Sequence, residues 1–328
     1  MAGVEETAAP PLTGALARRP LAAGLPRLAL FVRRKKLGAL GFALVLFILL
    51  VALLSPWLKR YDENLQFQRP NPDFNPTASP LEIARNPNVG APFILERFQR
   101  PSWEHWLGTD QAGRDIYARI VVGARLAAII GLGASLISVL SGTVTGLISG
   151  YFGGRVDFCL QRIVDGIQAF PGIVLLLLLV SVVERPNLPL TVAVLGFLGW
   201  AASTRIMRSA VLSVAASTYV EAARASGATN VRVMLRHVLP NVVAPMIVIF
   251  SISIGLYILA EAGLSFLGLG PYDQVTWGKM VSAGRNFVDR YPEESVCAGV
   301  AITVTVLAFN LAGDAIRDLL DPRLRGTR

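Results

Sequence analysis

The residues with the most specific local chemistry lie in one polar stretch, Thr218 to Pro240, which separates two long apolar runs. Thr218 followed three residues later by Glu221 fits a capping box, which predicts that a short helix begins there. Gly227 predicts the end of this helix, because glycine adopts the left-handed conformation at a helix C-terminus without strain. Pro240 lacks the amide hydrogen of a helix interior, so a break or a new helix is expected there. No nucleophile is paired with a base in this stretch.

A second helix is predicted after the glycine, with Thr229 or Asn230 as its cap. Residues spaced i, i+3, i+4 and i+7 predict one apolar face on this helix, formed by Val231, Met234, Leu235 and Val238. The whole stretch is therefore predicted to be a short helix, a glycine turn and an amphipathic helix.

No recognisable motif for catalysis or energy conversion occurs in the sequence. Gly278-Lys279 lacks both the upstream glycine and the following Ser or Thr of a phosphate-binding loop. A metal site at His105 with Asp110 is an alternative, but no second histidine is nearby. The apolar runs carry no ladder of His, Asp or Glu for proton coupling. We therefore expect no catalytic residue, metal site or cofactor in this chain.

The composition is that of a polytopic membrane protein. Of the 328 residues, 53% are hydrophobic and only 16% are charged, which is apolar for a soluble protein. The formal net charge is +9, but the placement of the arginines fits cytoplasmic segments, so no nucleic-acid partner is expected. The two cysteines, Cys159 and Cys297, have no metal-binding spacing and form no disulfide framework.

Apolar runs of about 20 residues cross a hydrocarbon core of about 30 Å. Six runs are predicted to do so, at residues 37–55, 126–150, 158–183, 190–206, 241–263 and 295–313. The basic run Arg33-Arg34-Lys35-Lys36 before the first span predicts a cytoplasmic N-terminus, so six spans place both termini inside.

The predicted fold class is thus an all-α polytopic membrane protein with six transmembrane helices. Its predicted parts are a cytoplasmic tail at 1–36, a first span at 37–55, an irregular extracytoplasmic insert at 56–116, a core domain at 117–313 and a cytoplasmic tail at 314–328. The core domain contains the polar loop at 214–240, between the fourth and fifth spans.

Packing signals occur within the predicted spans. Small residues repeat every four positions and predict a ridge for close helix packing, at Ser138, Gly142, Gly146 and Gly150. Pro171 permits a kink in the third span.

Four polar residues on the spans are candidates for a polar path. Ser253, Tyr257 and Asn310 can each contact a substrate or instead form a hydrogen bond between helices. Glu261, at the end of an apolar run, is interpreted as a residue that snorkels to the interface, with a role in a gate as the alternative.

Several strings in this sequence resemble those of a known family, the C-type permease subunits of bacterial dipeptide and oligopeptide (peptide/nickel) ABC importers. They are HWLGTDQAGRD at 105–115, Glu221-Ala222-Ala223 with Gly227 and Leu239-Pro240, LSFLGLG at 264–270, and the segment from Asn310 to Asp321-Pro322-Arg323. The resemblance covers about residues 37–325 and implies the type I ABC importer permease fold. It identifies the polar stretch with the "EAA loop", a cytoplasmic coupling helix that docks into a groove of an ATPase.

The resemblance also implies partners and site residues. A related B-type permease subunit, two ATPase subunits that bind ATP and Mg, and an extracytoplasmic binding protein would complete an importer in the inner membrane, surrounded by lipid. The docking residues that it implies are Glu221, Ala222, Ala223, Arg224, Gly227, Leu239 and Pro240. The sequence departs from the family pattern at His237, where an aliphatic residue is common.

Alternative functions remain open at the level of the sequence. Family members also import nickel or glutathione, and the motifs do not separate these substrates. A stand-alone secondary transporter would need intramembrane charges or broken-helix repeats, and a membrane-embedded enzyme would need catalytic groups. Neither set of features is recognisable in the sequence.

Overall fold

The computed structural model describes residues 36–320, and long helices dominate it. The long helices are α1 (Lys36–Leu58), α3 (Ile116–Phe152), α6 (Leu188–Ala215), α9 (Leu239–Phe266) and α11 (Glu293–Leu320). The shorter helices are α2 (Pro80–Arg85), α4 (Gly154–Gln168), α5 (Gly172–Ser181), α7 (Thr218–Ala225), α8 (Asn230–Val233) and α10 (Trp277–Gly284). A π-helical turn, Met234–Val238, joins α8 to α9. Residues 1–35 and 321–328, with most of the predicted N-terminal tail and the Asp321-Pro322-Arg323 string, lie outside the described residues.

Five helical segments are long and apolar enough to cross a membrane: α1, α3, α6, the continuous stretch 230–266 and α11. Helices α4 and α5 meet the same test only as a pair, and they are bent by 79° at the break between them. Pro171 occupies the N-cap position of α5 at this break, where its ring and its missing amide hydrogen disfavour continuation of the preceding helix. Where the sequence predicted a kinked third span at 158–183, the structure has a broken one, and the count is six if the pair is one span.

The helices extend beyond the predicted spans. Asp115 caps α3 through a bond from the Ala118 amide, so this helix begins ten residues before position 126. Helix α6 continues to Ala215, into the polar loop that the sequence predicted. The last helix includes residues 314–320, which the sequence assigned to the C-terminal tail.

The most extensive helix packing joins α3 to α6 along the ridge of small residues. A Cβ added to Gly142 would lie 2.5 Å from the Cβ of Ser203, and one added to Gly146 would lie 2.8 Å from the backbone nitrogen of Arg208. The hydroxyl oxygens of Ser138 and Ser203 are 2.8 Å apart, within hydrogen-bonding distance. The ridge predicted from the sequence is thus confirmed, since only residues with very small side chains allow the two backbones to approach so closely.

Residues 59–115 form an irregular segment with little regular structure. Its two short strands, β1 (Gln68–Pro70) and β2 (Phe93–Leu95), pair antiparallel, and Ser79 caps α2 in a capping box with Glu82. Seven prolines lie in this segment, from Pro70 to Pro101, and they limit the length of any helix there.

The string at 105–115 closes the irregular segment as a compact turn. His105 Nδ1 lies 2.8 Å from Asp115 Oδ2, and both side chains are buried. Asp110 instead accepts a bond of 2.7 Å from Arg114 Nε, so it does not join His105 in one site. Among residues 36–320, no group of three or more His, Cys, Asp or Glu side chains is placed to hold a metal ion. The string therefore builds the start of α3 through hydrogen bonds.

We predict that Gly142→Ala destabilises the protein by about 1–3 kcal/mol, because the new methyl group overlaps Ser203. Gly166→Ala is the matched control, since Gly166 lies inside α4 with no atom within 4 Å of an added Cβ. At that position alanine should stabilise the helix by roughly 0.5–1 kcal/mol. Thermal unfolding in detergent measures both variants, and equal melting temperatures would contradict the close packing of α3 and α6.

Candidate functional site

The first candidate site is the polar loop between α6 and α9. Its short helix α7 begins after Ser217, whose backbone is extended and whose hydroxyl donates to the Val214 carbonyl at 2.5 Å. Thr218 therefore lies inside the helix, and Glu221 lies one residue too far along it to complete a capping box. The predicted capping box is wrong, and the Glu221 carboxylate remains exposed.

Helix α7 has one buried side and one exposed side. Val220 is fully buried, and Ala223 packs beside it against the same apolar cluster. Glu221, Ala222 and Arg224 are exposed. The exposed side therefore offers a small side chain at its centre, between one negative and one positive charge.

Gly227 ends the loop's first half in the way the sequence predicted. Its φ angle is +79°, in the left-handed region that favours glycine. No atom lies within 4 Å of an added Cβ, so the conformation and not crowding requires glycine there. The turn leads to Thr229, whose side chain caps α8 by accepting a bond from the Arg232 amide at 3.4 Å.

The buried face after the turn agrees only in part with the predicted one. Val238 is fully buried and Met234 is half-buried, as predicted, but Val231 and Leu235 are 60% and 56% exposed, and Val233 is fully buried instead. The π-helical turn Met234–Val238 explains the difference, because its wider turn brings residues five apart, not four, onto the same side.

The other two loop residues that the resemblance implied lie at the start of α9. Leu239 is half-buried against the apolar cluster, and Pro240 is exposed in the first turn of this helix. Of the two outcomes expected at Pro240, the structure therefore shows a new α-helix, where the missing amide hydrogen costs no hydrogen bond.

The second candidate site is a cavity of about 690 Å³ between α5, α6 and α9. Its walls are mainly leucine and isoleucine side chains, and among the described residues that line it there is no acidic, basic or histidine side chain. Ser253 and Tyr257 both line it, and the Tyr257 hydroxyl forms hydrogen bonds with Ser138 and Ser253. The structure therefore brings two of the predicted path residues into one polar spot on an apolar wall.

Tyr257 fits because Gly199 faces it. A Cβ added to Gly199 would lie 1.6 Å from the Tyr257 hydroxyl oxygen and 2.7 Å from Ser138 Oγ. The sequence singled out Tyr257, but nothing in the sequence pointed to Gly199, because the need for glycine arises only from the packing of α6 on α9.

The other two predicted path residues lie elsewhere. Glu261 is 4% exposed, and its carboxylate accepts a bond of 2.5 Å from Ser265 Oγ and another from Thr276. The interpretation of Glu261 as a snorkelling residue is wrong, because the carboxylate is buried inside the protein. Asn310 is exposed on α11, beside Gly255, and does not line the cavity.

The segment after α9 folds back over the end of this helix near the cavity. Lys279 Nζ donates to the carbonyl oxygens of Pro271, Tyr272 and Gln274, which fixes the returning chain. Burial lowers the pKa of the Lys279 amine, and the charge of Glu261 opposes this shift. In the sequence, Lys279 is recognisable only as part of an incomplete phosphate loop. A single lysine after Trp277-Gly278 does not predict that its amine holds three backbone carbonyl groups.

Most of the chain matches the models of two known protein families. Residues 142–326 match the model described as "Binding-protein-dependent transport system inner membrane component". Residues 32–79 match the model described as "N-terminal TM domain of oligopeptide transport permease C". The two matches together include the first span and the loop at 218–240.

Curated relatives are similar along nearly the whole chain. The dipeptide transport system permease protein DppC of Alkalihalophilus pseudofirmus is 35% identical over 295 residues, which covers 90% of this chain and 88% of the relative. The glutathione transport system permease protein GsiD of Escherichia coli is 35% identical over 297 residues, covering 90% and 89%. The oligopeptide transport system permease protein OppC of Bacillus subtilis is 33% identical over 294 residues, covering 89% and 88%.

A solved structure, the inward-facing MetNI methionine ABC transporter, is similar to this chain with a TM-score of 0.53 and 16% identity. The similarity covers 62% of this chain and 96% of that one. At this level of identity the similarity concerns the fold alone, and it agrees with the predicted type I permease fold.

We predict that Gly199→Ala lowers the stability by about 1–3 kcal/mol, because the added methyl group displaces the Tyr257 hydroxyl from its two serine partners. Tyr257→Phe in the same chain should restore part of the loss, since it removes the overlapping oxygen. Gly263→Ala is the control, because Gly263 lines the same cavity with no atom within 4 Å of an added Cβ. Additive effects of the two substitutions on the melting temperature would contradict the contact.

Proposed function

The chain belongs to the family of binding-protein-dependent transport system inner membrane components and is a multi-pass ABC transporter permease, and from this premise we propose that it is the C-type subunit of an ATP-driven peptide importer. In this proposal both termini and the loop at 218–240 lie in the cytoplasm, and the segment 59–115 lies outside. A B-type permease subunit, two ATPase subunits that use ATP and Mg, and a substrate-binding protein complete the assembly.

The exposed side of α7 is the observation that carries the proposal. Ala222 is exposed between Glu221 and Arg224, while Val220 on the opposite side of the helix is buried in the apolar cluster. A helix with a small side chain at the centre of its exposed side can enter a groove closely, and the flanking charges can pair with groups on the ATPase. Because Glu221 completes no capping box, its carboxylate is available for such a pair.

The remaining loop residues support this surface from behind. Ala223 and Leu239 pack against the buried cluster, so in the proposal they hold the docking helix and do not touch the ATPase. Gly227 makes the turn that brings α7 and α8 together, and Pro240 starts the next helix. The seven residues implied by the resemblance thus divide into a contact group and a supporting group.

The cavity supports the transport half of the proposal. It lies within one chain, and in the proposed dimer the B-type subunit forms the facing wall of the path. A peptide presents varied side chains, and a wall of leucine and isoleucine side chains contacts apolar groups without holding them by charge. Tyr257 and Ser253 offer hydrogen bonds to peptide amides, while Glu261 lies just outside the lining in a buried network at its end.

The lining also favours peptides over a bare metal ion. Nickel binds imidazole, thiolate or carboxylate groups, and the described residues that line the cavity supply none of these. The relatives named above carry descriptions of dipeptide, oligopeptide and glutathione transport. We therefore propose a short peptide as the substrate class, with glutathione as a chemically related candidate.

Uptake by cells that express the whole transporter tests the substrate. We predict ATP-dependent accumulation of labelled dipeptides or longer peptides, and none of Ni²⁺ alone, because the described residues that line the cavity of this chain offer no metal ligand. Cells that lack this chain are the control for uptake through other systems. Accumulation of Ni²⁺ without any peptide would overturn the proposed substrate class but leave the proposed architecture intact.

A bulky residue at the centre of the docking surface tests the coupling. We predict that Ala222→Trp abolishes ATP-dependent uptake, because the indole blocks entry of α7 into the groove. The variant should still fold, since Ala222 is exposed. Ala84→Trp is the matched control, because Ala84 is an exposed helical alanine in the segment 59–115. Normal uptake by Ala222→Trp, measured with membrane insertion confirmed, would contradict docking through this helix.

A further inference from the structure

One buried tyrosine contacts both halves of the polar loop. Tyr151, at the end of α3, is 8% exposed. The guanidinium carbon of Arg224 lies 4.6 Å from the centre of its ring, and its hydroxyl donates to Asn230 Oδ1 at 3.0 Å. Arg224 belongs to α7 and Asn230 to α8, so the tyrosine joins the two helices on either side of the Gly227 turn.

Apart from two local hydrogen bonds, from Ser217 to the Val214 carbonyl and from Asn241 to the His237 carbonyl, the remaining contacts of the described residues between the loop and the neighbouring helices are apolar. Val220, Val233 and Val238 are buried in one cluster with residues of α3 and α6. Such packing fixes how deep the loop lies, but dispersion contacts are non-directional and set the angle between two short helices poorly. A hydrogen bond and a cation–π contact are directional, so the two contacts of Tyr151 restrain this angle in addition to the backbone hydrogen bonds of the Gly227 turn.

The end of α3 that carries Tyr151 is held firmly. Ser149 Oγ donates to Asp157 at 2.5 Å, which ties α3 to α4. Arg208 of α6 binds both oxygens of the same carboxylate, at 2.6 and 2.5 Å. A bidentate pair of this kind orients its partners as well as attracting them. Three helices therefore converge beside the tyrosine.

Helix α3 also reaches the cavity. Ser138, whose hydroxyl bonds to Tyr257 at the cavity wall, lies roughly 20 Å before Tyr151 along this helix, given a rise of about 1.5 Å per residue. One helix thus carries a contact to the loop near one end and a contact to the cavity near its middle.

We propose that Tyr151 is a positioning residue for coupling: it keeps α7 and α8 at a fixed angle and transfers their movement to α3, and through α3 to the cavity. The inference rests on the proposed docking of α7 to an ATPase and deepens it by naming where the movement enters the membrane domain. A contiguous set of contacts does not by itself establish coupling, so the test must measure coupling directly.

The experiment uses the complete transporter, with all of its subunits, reconstituted in vesicles. Tyr151→Phe and Asn230→Ala each delete the hydrogen bond, and Tyr151→Leu deletes the aromatic contact as well. Tyr117→Leu is the matched control, because Tyr117 is a partly buried tyrosine near the opposite end of α3. Three quantities are measured for each variant: co-purification of the ATPase subunits, the rate of ATP hydrolysis, and substrate uptake per ATP hydrolysed.

We predict that Tyr151→Leu assembles and hydrolyses ATP, while uptake per ATP falls by roughly tenfold, within the range of ordinary coupling energies. Tyr151→Phe and Asn230→Ala should show the same smaller loss, and combining them should add nothing, because each removes the same bond. Tyr117→Leu should keep the wild-type ratio. A merely structural role of Tyr151 would lower the amount of assembled transporter and leave uptake per ATP unchanged.

Unchanged uptake per ATP in assembled Tyr151→Leu overturns the inference. Should this variant fail to fold, the two variants that lack only the hydrogen bond decide, and a wild-type ratio in both overturns it equally. Failure of the wild-type chain to co-purify ATPase subunits is a different result, since it overturns the proposed function on which the inference rests.

Discussion

The close approach of α3 and α6 is the constraint on which the rest of the structure depends. Gly142 and Gly146 leave room for the backbone of α6, and any larger side chain there would push the two helices apart. This contact fixes the end of α6, from which the polar loop begins, relative to the end of α3, which carries Tyr151. It also sets the position of Gly199 opposite Tyr257. The line of small residues thus helps to position both candidate sites.

Much of the fold followed from local patterns in the sequence, because apolar runs and small-residue spacing act over one helix at a time. At Pro171 a proline within an apolar run predicts a kink but not its size, so the break with a bend of 79° was not expected. The predicted buried face after Gly227 was right for Val238 and wrong for Val231 and Leu235. The periodicity of an α-helix selects the latter two, whereas with the π-helical turn Val233 is buried together with Val238.

The candidate sites were predictable to different degrees. The loop could be located because its motif is contiguous in the sequence. Gly227 could be predicted to end the helix because glycine favours the left-handed conformation. The cavity could not, because it is formed by residues that are distant in the sequence and individually ordinary. Glu261 illustrates the limit, since a carboxylate beside an apolar run reads as interfacial until Ser265 and Thr276 are seen to satisfy it. Ser265 lies one turn further along the same helix, but Thr276 comes from the returning segment, and a partner of that kind leaves no periodic signal.

The Tyr257 hydroxyl occupies the gap left by Gly199, and this restricts how the cavity can change shape. Sliding α9 along α6 by one turn, about 5.4 Å, would require a second vacancy on α6. In one direction Ile137 already fills the space over Gly196, and in the other Ser203 carries its own side chain. The contact therefore opposes translation of α9 along α6, so separation of these two helices is easier by tilting about the contact, as a hinge, than by sliding, as a shear.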